Sequence, residues 1–460
     1  MDYSAANTGL WNSVIQIGLI AIAILGANIL RRKIFFIRKT LLPTAVFAGF
    51  IMLALRLVGI LKIDTELLEM ITYHGIALGF IALSLRVAEP GEQKTKNTGL
   101  KSGAIIVASY CIQGVAGLII SILLGMTIMP NFFKAAGILL PMGYGQGPGQ
   151  ANNIGSSYES LGFDGGRSFG LAIASAGYIC ACIVGVFYLN YLKKMGKITN
   201  IDTENIDEEI DVDTFQAPGE VPISESLDRL SIQVCMVFGV YLLTYLLTRA
   251  ITSALTAYAP GVASLLNSLL WGFNFMIGSG LAVAGRAVMK KLRGIKIMKR
   301  QYQNNYLLSR ISGLAFDVMI VAGITSIELE DLSGKWIPFL LMAVAGAAVT
   351  LIHLRYICKK VYGDYYYEGL ISMYGMMTGT ISSGMLLLRE IDPKLETPAA
   401  NNLVVGSVFA ILLGAPILAL VSIAPKSFAM TLMVLAILFV YYIILLLIAK
   451  GRNKEKIDQS

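Results

Sequence analysis

Residues 141–153 read PMGYGQGPGQANN, and this stretch decides how the rest of the chain is interpreted. Four glycines and two prolines fall within residues 141–149, and a stable helix cannot continue through such a run. A second interrupted stretch, residues 373–384, reads MYGMMTGTISSG. Each stretch has apolar flanks of about ten residues, or about 15 Å of helix, which is half of a membrane crossing. Both are therefore predicted to be re-entrant hairpins, which enter a membrane, break near its middle and leave on the same side.

The overall composition points to a membrane protein. Apolar residues make up 56% of the chain and charged residues 14%, and the mean hydropathy is +0.69. Soluble proteins contain roughly 45–50% apolar and about 25% charged residues, so soluble classes are excluded. The net charge of +8 comes from short Lys and Arg clusters between apolar runs. Such clusters set membrane orientation, and no nucleic-acid partner is predicted.

Eleven apolar runs approach the roughly 20 residues that a helix needs to cross the hydrocarbon core. They cover residues 12–30, 41–60, 69–88, 103–128, 168–192, 230–250, 263–289, 306–327, 336–357, 399–424 and 428–449. The longest polar stretch, residues 193–228, is acidic and divides the chain into two halves of similar length. Its low hydrophobicity and like charges predict a solvated linker.

Basic and acidic joins alternate between the apolar runs. Residues 31–39 and 290–300 are rich in Lys and Arg, as is the C-terminus, whereas the joins at 62–69 and 328–335 are mainly acidic. Basic residues favour the cytoplasmic side, so the N-terminus is predicted outside the cell and the C-terminus in the cytoplasm. An odd number of crossings, such as eleven, places the two termini on opposite sides of the membrane, in agreement with this prediction. Asp2 and the lack of a basic N-terminal region argue against a cleaved signal peptide.

The two halves are predicted to be inverted copies. Tyr144-Gly145 with Gly149 is matched by Tyr374-Gly375 with Gly379. The charge pattern puts the first hairpin, near 134–160, at the outer ends of its flanking spans and the second, near 364–393, at the inner ends. The predicted fold is an all-α multi-pass membrane protein. Its parts are a first repeat (1–192), a linker (193–228), a second repeat (229–424) and an added helix with a basic tail (425–460).

Interrupted helices within a membrane indicate transport. Unpaired backbone groups survive in hydrocarbon only where protein or a water-filled cavity surrounds them. Inverted repeats with such helices are typical of secondary transporters, whose helix N-termini attract anions and whose carbonyls suit sodium. The predicted substrate-binding residues are Tyr144, Gly145, Gln146, Gly147, Gly149, Gln150, Asn152, Asn153, Tyr374, Gly375, Thr378, Gly379, Thr380, Ser382 and Ser383.

Three further polar residues are predicted to take part in ion coupling. Asp317 lies about 16 Å into its span. An ionised carboxylate is energetically unfavourable at that depth in a membrane, so a functional role is the first hypothesis for this residue. It could bind a cation or carry a proton, and the alternative is a structural ion pair. Asn401 and Asn402 open the tenth span directly after the second hairpin. No cofactor and no metal beyond a transported sodium ion are predicted.

Several of these stretches resemble the bacterial sodium/glutamate symporter family. The resemblance covers nearly the whole chain in order, with sparse identity, and is carried by residues 39–50, 78–80, 145–151, 162–163 and 367–383. Family members usually carry His-Gly-Thr where this chain has Gln146-Gly147-Pro148. The similarity implies sodium-driven symport of glutamate or a related small carboxylate or amino acid by alternating access. It also implies a homodimer in the cell membrane.

Other functions remain open at this point. A carrier coupled to protons, or an antiporter of another organic anion, would use Asp317 as its proton site. A channel would need a continuous pore with a selectivity ring, and one hairpin from each side of the membrane argues against it. An enzyme is not expected, because the chain has neither a His-Glu-x-x-His nor a Gly-x-Ser-x-Gly motif.

Overall fold

The computed structural model describes residues 3–4, 7–34, 43–87, 96–198, 229–258, 270–272, 274–392 and 397–451. Within these ranges the chain forms fifteen α-helices, a few short 3₁₀ turns and no β-strand. The helices are α1 (Thr8–Lys33), α2 (Thr44–Leu57), α3 (Thr65–Leu85), α4 (Lys96–Met126), α5 (Leu139–Tyr144), α6 (Pro148–Glu159), α7 (Gly166–Lys194), α8 (Arg229–Tyr258), α9 (Asn274–Gly294), α10 (Asn305–Thr325), α11 (Trp336–Val361), α12 (Tyr366–Thr378), α13 (Ile381–Arg389), α14 (Ala399–Ile423) and α15 (Phe428–Lys450).

The helices are those of a multi-pass membrane protein. Nine helices of the described chain are long and apolar enough to cross a membrane. Each of the eleven predicted runs coincides with a helix, but two of these helices fall short. Helix α2 has only 14 residues, and α9 carries charged residues in its second half. Residues 41–42, 263–269 and 273 of these two runs lie outside the described residues, as does most of the predicted linker.

The chain divides into two compact units that differ from the two halves of the sequence. Unit 1 comprises Met1–Ala27, Ala48–Glu92 and Thr203–Ser326, and unit 2 comprises Asn28–Phe47, Gln93–Asp202 and Ile327–Ser460. Each unit therefore takes helices from both halves. Both interrupted stretches belong to unit 2. The predicted division into two sequential repeats remains a prediction.

Unit 1 is built around α3, which packs against α10 and α9. Glycines let α3 and α10 approach closely, because a Cβ on Gly79 would overlap the Phe316 ring and one on Gly75 would meet Met319. Polar side chains add links within the unit. Arg56 donates to the carbonyl of Thr325 at the end of α10, over 2.8 Å.

Unit 2 is built around α4, which packs against α14, α15 and α11. Helices α5, α6 and α12 pack against α7, and α12 also packs against α11 and α13. One apolar cluster of this unit joins the end of α7 to the two helices of the second interrupted stretch. Its buried members are Leu189, Leu192, Ile371, Leu387, Leu388, Ile391 and Ala399.

Candidate functional site

The first break separates α5 from α6. Its central residue, Gly147, has φ 85° and ψ −176°, a backbone conformation that is essentially restricted to glycine. Pro148 then occupies the first position of α6, where its missing N–H costs no helical hydrogen bond. The same proline cannot extend a preceding helix. The local sequence therefore fixes both the end of α5 and the start of α6.

The second break separates α12 from α13. Helix α12 ends at Thr378. Gly379, with φ −140° and ψ −108°, and Thr380, which is extended with φ −140° and ψ 174°, then separate it from α13, which begins at Ile381. A Cβ on Gly379 would lie 2.7 Å from Oγ of Ser383 and 3.1 Å from the carbonyl oxygen of Gly375. This glycine is required by close packing rather than by its φ angle.

The two breaks lie next to each other in unit 2. A Cβ built on Gly147 would lie 3.9 Å from Cγ2 of Thr380 and 3.8 Å from the hydroxyl oxygen of Tyr178 on α7. Gly177, one residue earlier on α7, leaves room for the carbonyl of Thr378 at the end of α12. Residues more than two hundred positions apart in the sequence thus meet at one place beside α7.

Several buried polar atoms at the breaks and on the helices beside them have no hydrogen-bond partner in the described chain. Gln150, in the first turn of α6, is 1% exposed, and neither of its amide atoms has a hydrogen-bond partner in the described part of the chain. Buried atoms without a described partner also occur on Gln113, Asn152, Ser175, Tyr374, Thr380 and Ser383. Native proteins leave few buried polar atoms unpaired, so these atoms are candidates for contact with water, an ion or a solute.

Several predicted substrate-binding residues make structural contacts within the fold, and their binding role stays a prediction. The Tyr144 hydroxyl donates to the carbonyl of Ala343 over 2.6 Å, which ties α5 to α11. The hydroxyl of Thr378 donates to the carbonyl of Tyr374 within its own helix. Gly145 lies against the Tyr110 ring. Gly149, Asn152 and Asn153 are buried in α6, Gln146 is half-buried, and the side chain of Ser382 lies outside the described residues.

The repeated Tyr-Gly motif has a different position in each copy. Tyr144 is the last residue of α5, three residues before Gly147 at the break. Tyr374 and Gly375 lie inside α12, and the break comes five residues after the tyrosine, at Gly379. The physical reason is Pro148, which stops the first helix early, whereas residues 376–378 let α12 continue. When the two Tyr-Gly pairs are aligned, the second break therefore comes two residues later than the first.

The three predicted ion-coupling residues fall in both units, Asp317 in unit 1 and the two asparagines in unit 2. Asn402 donates to the hydroxyl of Tyr365, which precedes α12 at the end opposite the break. Asn401 is half-buried in the same turn. Asp317 lies on α10 in unit 1. Their coupling role stays a prediction.

Sequence reasoning missed Gln113 on α4 and Ser175 on α7. Each has a buried oxygen atom without a hydrogen-bond partner in the described chain. The signal that could have identified Gln113 is an amide within an otherwise apolar span. A serine is weaker as a signal, because its hydroxyl can bond within its own helix.

The chemistry at the breaks suits a hard cation or a polar solute. The unpaired atoms belong to amides and hydroxyls, whose oxygens are ligands for cations such as sodium. No group of three or more His, Cys, Asp and Glu side chains that could hold a metal ion is found in the described ranges. A transition-metal centre therefore has no support in these residues.

A scan against protein-family models and a search of curated proteins found no match to this chain.

Proposed function

We propose that the protein is a secondary active transporter, a sodium-coupled symporter of glutamate or a related small carboxylate or amino acid. The observation that carries the proposal is the meeting of two interrupted helical stretches, one from each half of the chain, at Gly147 and Thr380. Secondary transporters use such discontinuous helices to hold cargo near the middle of the membrane.

The proposal includes the two re-entrant hairpins and the inverted repeats. The helices beside the breaks have 12, 13 and 9 residues in α6, α12 and α13, too short for a full crossing of about 20 residues. Each of the two compact units also takes helices from both halves of the chain, which is compatible with a duplicated architecture. In this arrangement the N-terminus lies outside and the C-terminus in the cytoplasm of a cell membrane.

The substrate class follows from the ends of the interrupted helices. Helices α6 and α13 each begin at a break, where free backbone N–H groups favour a carboxylate. Gln150 and Ser383 lie in these first turns and have unpaired polar atoms within the described chain. A buried polar atom without a partner costs roughly 1–3 kcal/mol, so cargo that pairs with several of them gains binding energy and orientation.

Transport by alternating access requires one part of the protein to move. We assign the moving part to unit 2, which contains both interrupted stretches, and a scaffold role to unit 1. A homodimer in the lipid bilayer, held together by its scaffold parts, completes the proposal.

Uptake into proteoliposomes tests the coupling ion. With radiolabelled L-glutamate outside, we expect saturable uptake when an inward sodium gradient is imposed, and loss of uptake when choline replaces sodium. Equal uptake in choline with an imposed proton gradient would contradict the sodium version. Current that rises linearly with voltage, without saturation by the solute, would instead indicate a channel.

Proton coupling is the second candidate, favoured by Asp317. This residue lies near the middle of α10, a helix long and apolar enough to cross a membrane. If Asp317 carries the coupled proton, Asp317→Asn should abolish uptake driven by a proton gradient and leave exchange of internal for external solute intact. Unchanged proton-driven uptake by this variant would remove Asp317 from the mechanism.

A further inference from the structure

Gln113 on α4 connects to the second interrupted stretch through a fixed amide. The side chain is fully buried, and its Nε2 donates to Oγ1 of Thr350 and to the carbonyl of Met377, each over 2.8 Å. The Met377 carbonyl can only accept, and the Thr350 hydroxyl already donates to the carbonyl of Gly346 over 2.6 Å. Both partners therefore need the NH₂ group, so the amide has one orientation and Oε1 points away from them.

The Oε1 atom of Gln113 is turned toward the first break. A Cβ built on Gly145 would lie 3.1 Å from this oxygen, and Gly145 comes two residues before Gly147. The oxygen is buried and accepts no hydrogen bond from any residue that the structure describes. One amide thus holds the last turn of α12 with its nitrogen and presents an unpaired acceptor beside α5 with its oxygen.

A second buried glutamine shows what a purely structural role looks like in this protein. Gln233 on α8 is 1% exposed. Its Nε2 donates to the carbonyl of Tyr302 over 2.8 Å, and its Oε1 accepts from the backbone N–H of Asn304 over 3.2 Å. Both ends of Gln233 are satisfied within the fold. Gln113 differs in having an acceptor that the described fold does not use.

We propose that Oε1 of Gln113 binds the positively charged or hydrogen-donating part of the cargo at the first break. That part is either the coupled cation itself or the ammonium group of the solute, because an amide oxygen can coordinate a cation and can accept a hydrogen bond from an ammonium group. The inference rests on the transport function proposed above and adds Gln113 as a residue that touches the cargo.

The test uses ligand-dependent thermal stabilisation of the purified full-length protein. The probes are lithium, sodium and potassium chlorides against choline chloride at constant ionic strength, and L-glutamate and glutarate in each salt. Glutarate lacks the ammonium group, so it separates the two sources of positive charge. The variants are Gln113→Met, which keeps the length and loses the amide, Thr350→Val, which removes one anchoring bond but keeps Oε1, and Gln233→Met as a control for the loss of a buried amide.

If Oε1 binds the cation, Gln113→Met should raise the half-saturating concentration of the stabilising cation at least about tenfold. If Oε1 binds the ammonium group, the cation response should persist and the preference for L-glutamate over glutarate should disappear. Thr350→Val and Gln233→Met should lower the melting temperature while changing ligand affinity by no more than about twofold.

Two results would overturn the assignment of Gln113. One is stabilisation of Gln113→Met by every probe at wild-type concentrations, which would mean that Oε1 meets only water. The other is a wild-type protein that no probe stabilises. Proteoliposome uptake separates this failure from failure of the proposed function. If the wild-type protein transports the solute and the Gln113→Met variant binds it normally, the transport proposal stands and the assignment of Gln113 fails. If binding depends on Gln113 but the wild-type protein shows no uptake, only the transport proposal fails.

Discussion

At the first break Gly147 has φ 85° and ψ −176°, and a Cβ added there would meet no atom closer than 3.8 Å. At the second break Gly379 has φ −140° and ψ −108°, outside the left-handed region, and a Cβ there would lie 2.7 Å from Oγ of Ser383. The first glycine is needed for its backbone conformation and the second for its lack of volume. The two breaks therefore depend on glycine for different physical reasons.

The two stretches also differ in how they are held. Ahead of the first break, Gly137 lies directly against the backbone of Gly117 on α4. In the second stretch, α12 and α13 pack against each other, and a Cβ on Gly375 would lie 2.8 Å from the Cα of Gly384. A close glycine contact thus joins the first stretch to the neighbouring helix α4, whereas in the second stretch it joins α12 to α13.

The largest expected effect comes from placing a large side chain at either break. Gly147→Leu and Gly379→Leu should each reduce uptake about a hundredfold or more, because small misplacements at a reacting or binding centre have effects of that size. Both variants should still insert in the membrane and elute as folded protein in size-exclusion chromatography. Normal uptake by either variant would show that its break does not line the transport path.

A smaller effect is expected where the second stretch packs on itself. Gly384→Ala should lower the free energy of unfolding by about 1–3 kcal/mol, because the new methyl group would meet the carbonyl oxygen of Ser372 at 2.5 Å. Gly239→Ala in α8 is the matched control, since a Cβ there meets nothing within 4 Å, and it should be neutral or slightly stabilising. Chemical denaturation in detergent measures both. Equal effects would mean that the close packing of α12 and α13 contributes nothing.

The contrast between the two breaks can be tested by rescue. Gly379→Ala should be partly rescued by Ser383→Ala, with a coupling energy of about 0.5–1 kcal/mol in a double-mutant cycle, because the second change removes the nearest crowding atom. Gly147→Ala should cost about 1–3 kcal/mol through backbone strain. Tyr178→Phe should not rescue it, since no neighbour causes that strain. Rescue at Gly147 would show that its role is also steric.

The smallest effect concerns the pH dependence of stability at Glu159, the last residue of α6. Burial raises the pKa of Glu159, with the nearby carboxylates of Asp331, Glu328 and Asp164 acting in the same direction, while the backbone N–H of Arg167 opposes the shift. The fold therefore favours the protonated form. The resulting stability is fully present below the unfolded pKa of about 4.3 and is lost as pH rises through the folded value.

Melting temperatures measured across the acidic pH range test whether protonation of Glu159 stabilises the fold. The wild-type protein should gain stability relative to Glu159→Gln as the pH is lowered, since glutamine keeps an acceptor for the Arg167 N–H but does not titrate. A wild-type protein that instead loses stability relative to this variant on acidification would show that Glu159 is stabilised as a carboxylate.

Much of the fold could be predicted because hydropathy acts locally. All eleven predicted apolar runs coincide with helices, and both breaks fall within the glycine-rich stretches that interrupted the pattern. Helix α2, predicted as the run 41–60, shows the limit of this reasoning. A window of apolar residues cannot tell a 14-residue helix from a full span, because helix ends depend on capping and on neighbouring segments.

The candidate site could be predicted only in part. Glycine and proline identified where the backbone must break, and Gln150, Thr380 and Ser383 followed as polar residues beside the breaks. The hydrogen bond from the Tyr144 hydroxyl to Ala343 could not be predicted, since Ala343 is on a helix that is distant in sequence. Ser175 gave no usable signal, because a serine in an apolar helix is equally compatible with bonding to its own backbone.

The sequence by itself determined a helical membrane protein with two interruptions, because run length, charge and backbone stiffness are properties of short segments. Only the tertiary structure decided that the two interruptions meet and that Gln113 lies between them. The hydrogen bond from Gln113 to Met377 spans 264 positions, and a contact of that separation is chosen by the packing of whole helices rather than by any local preference.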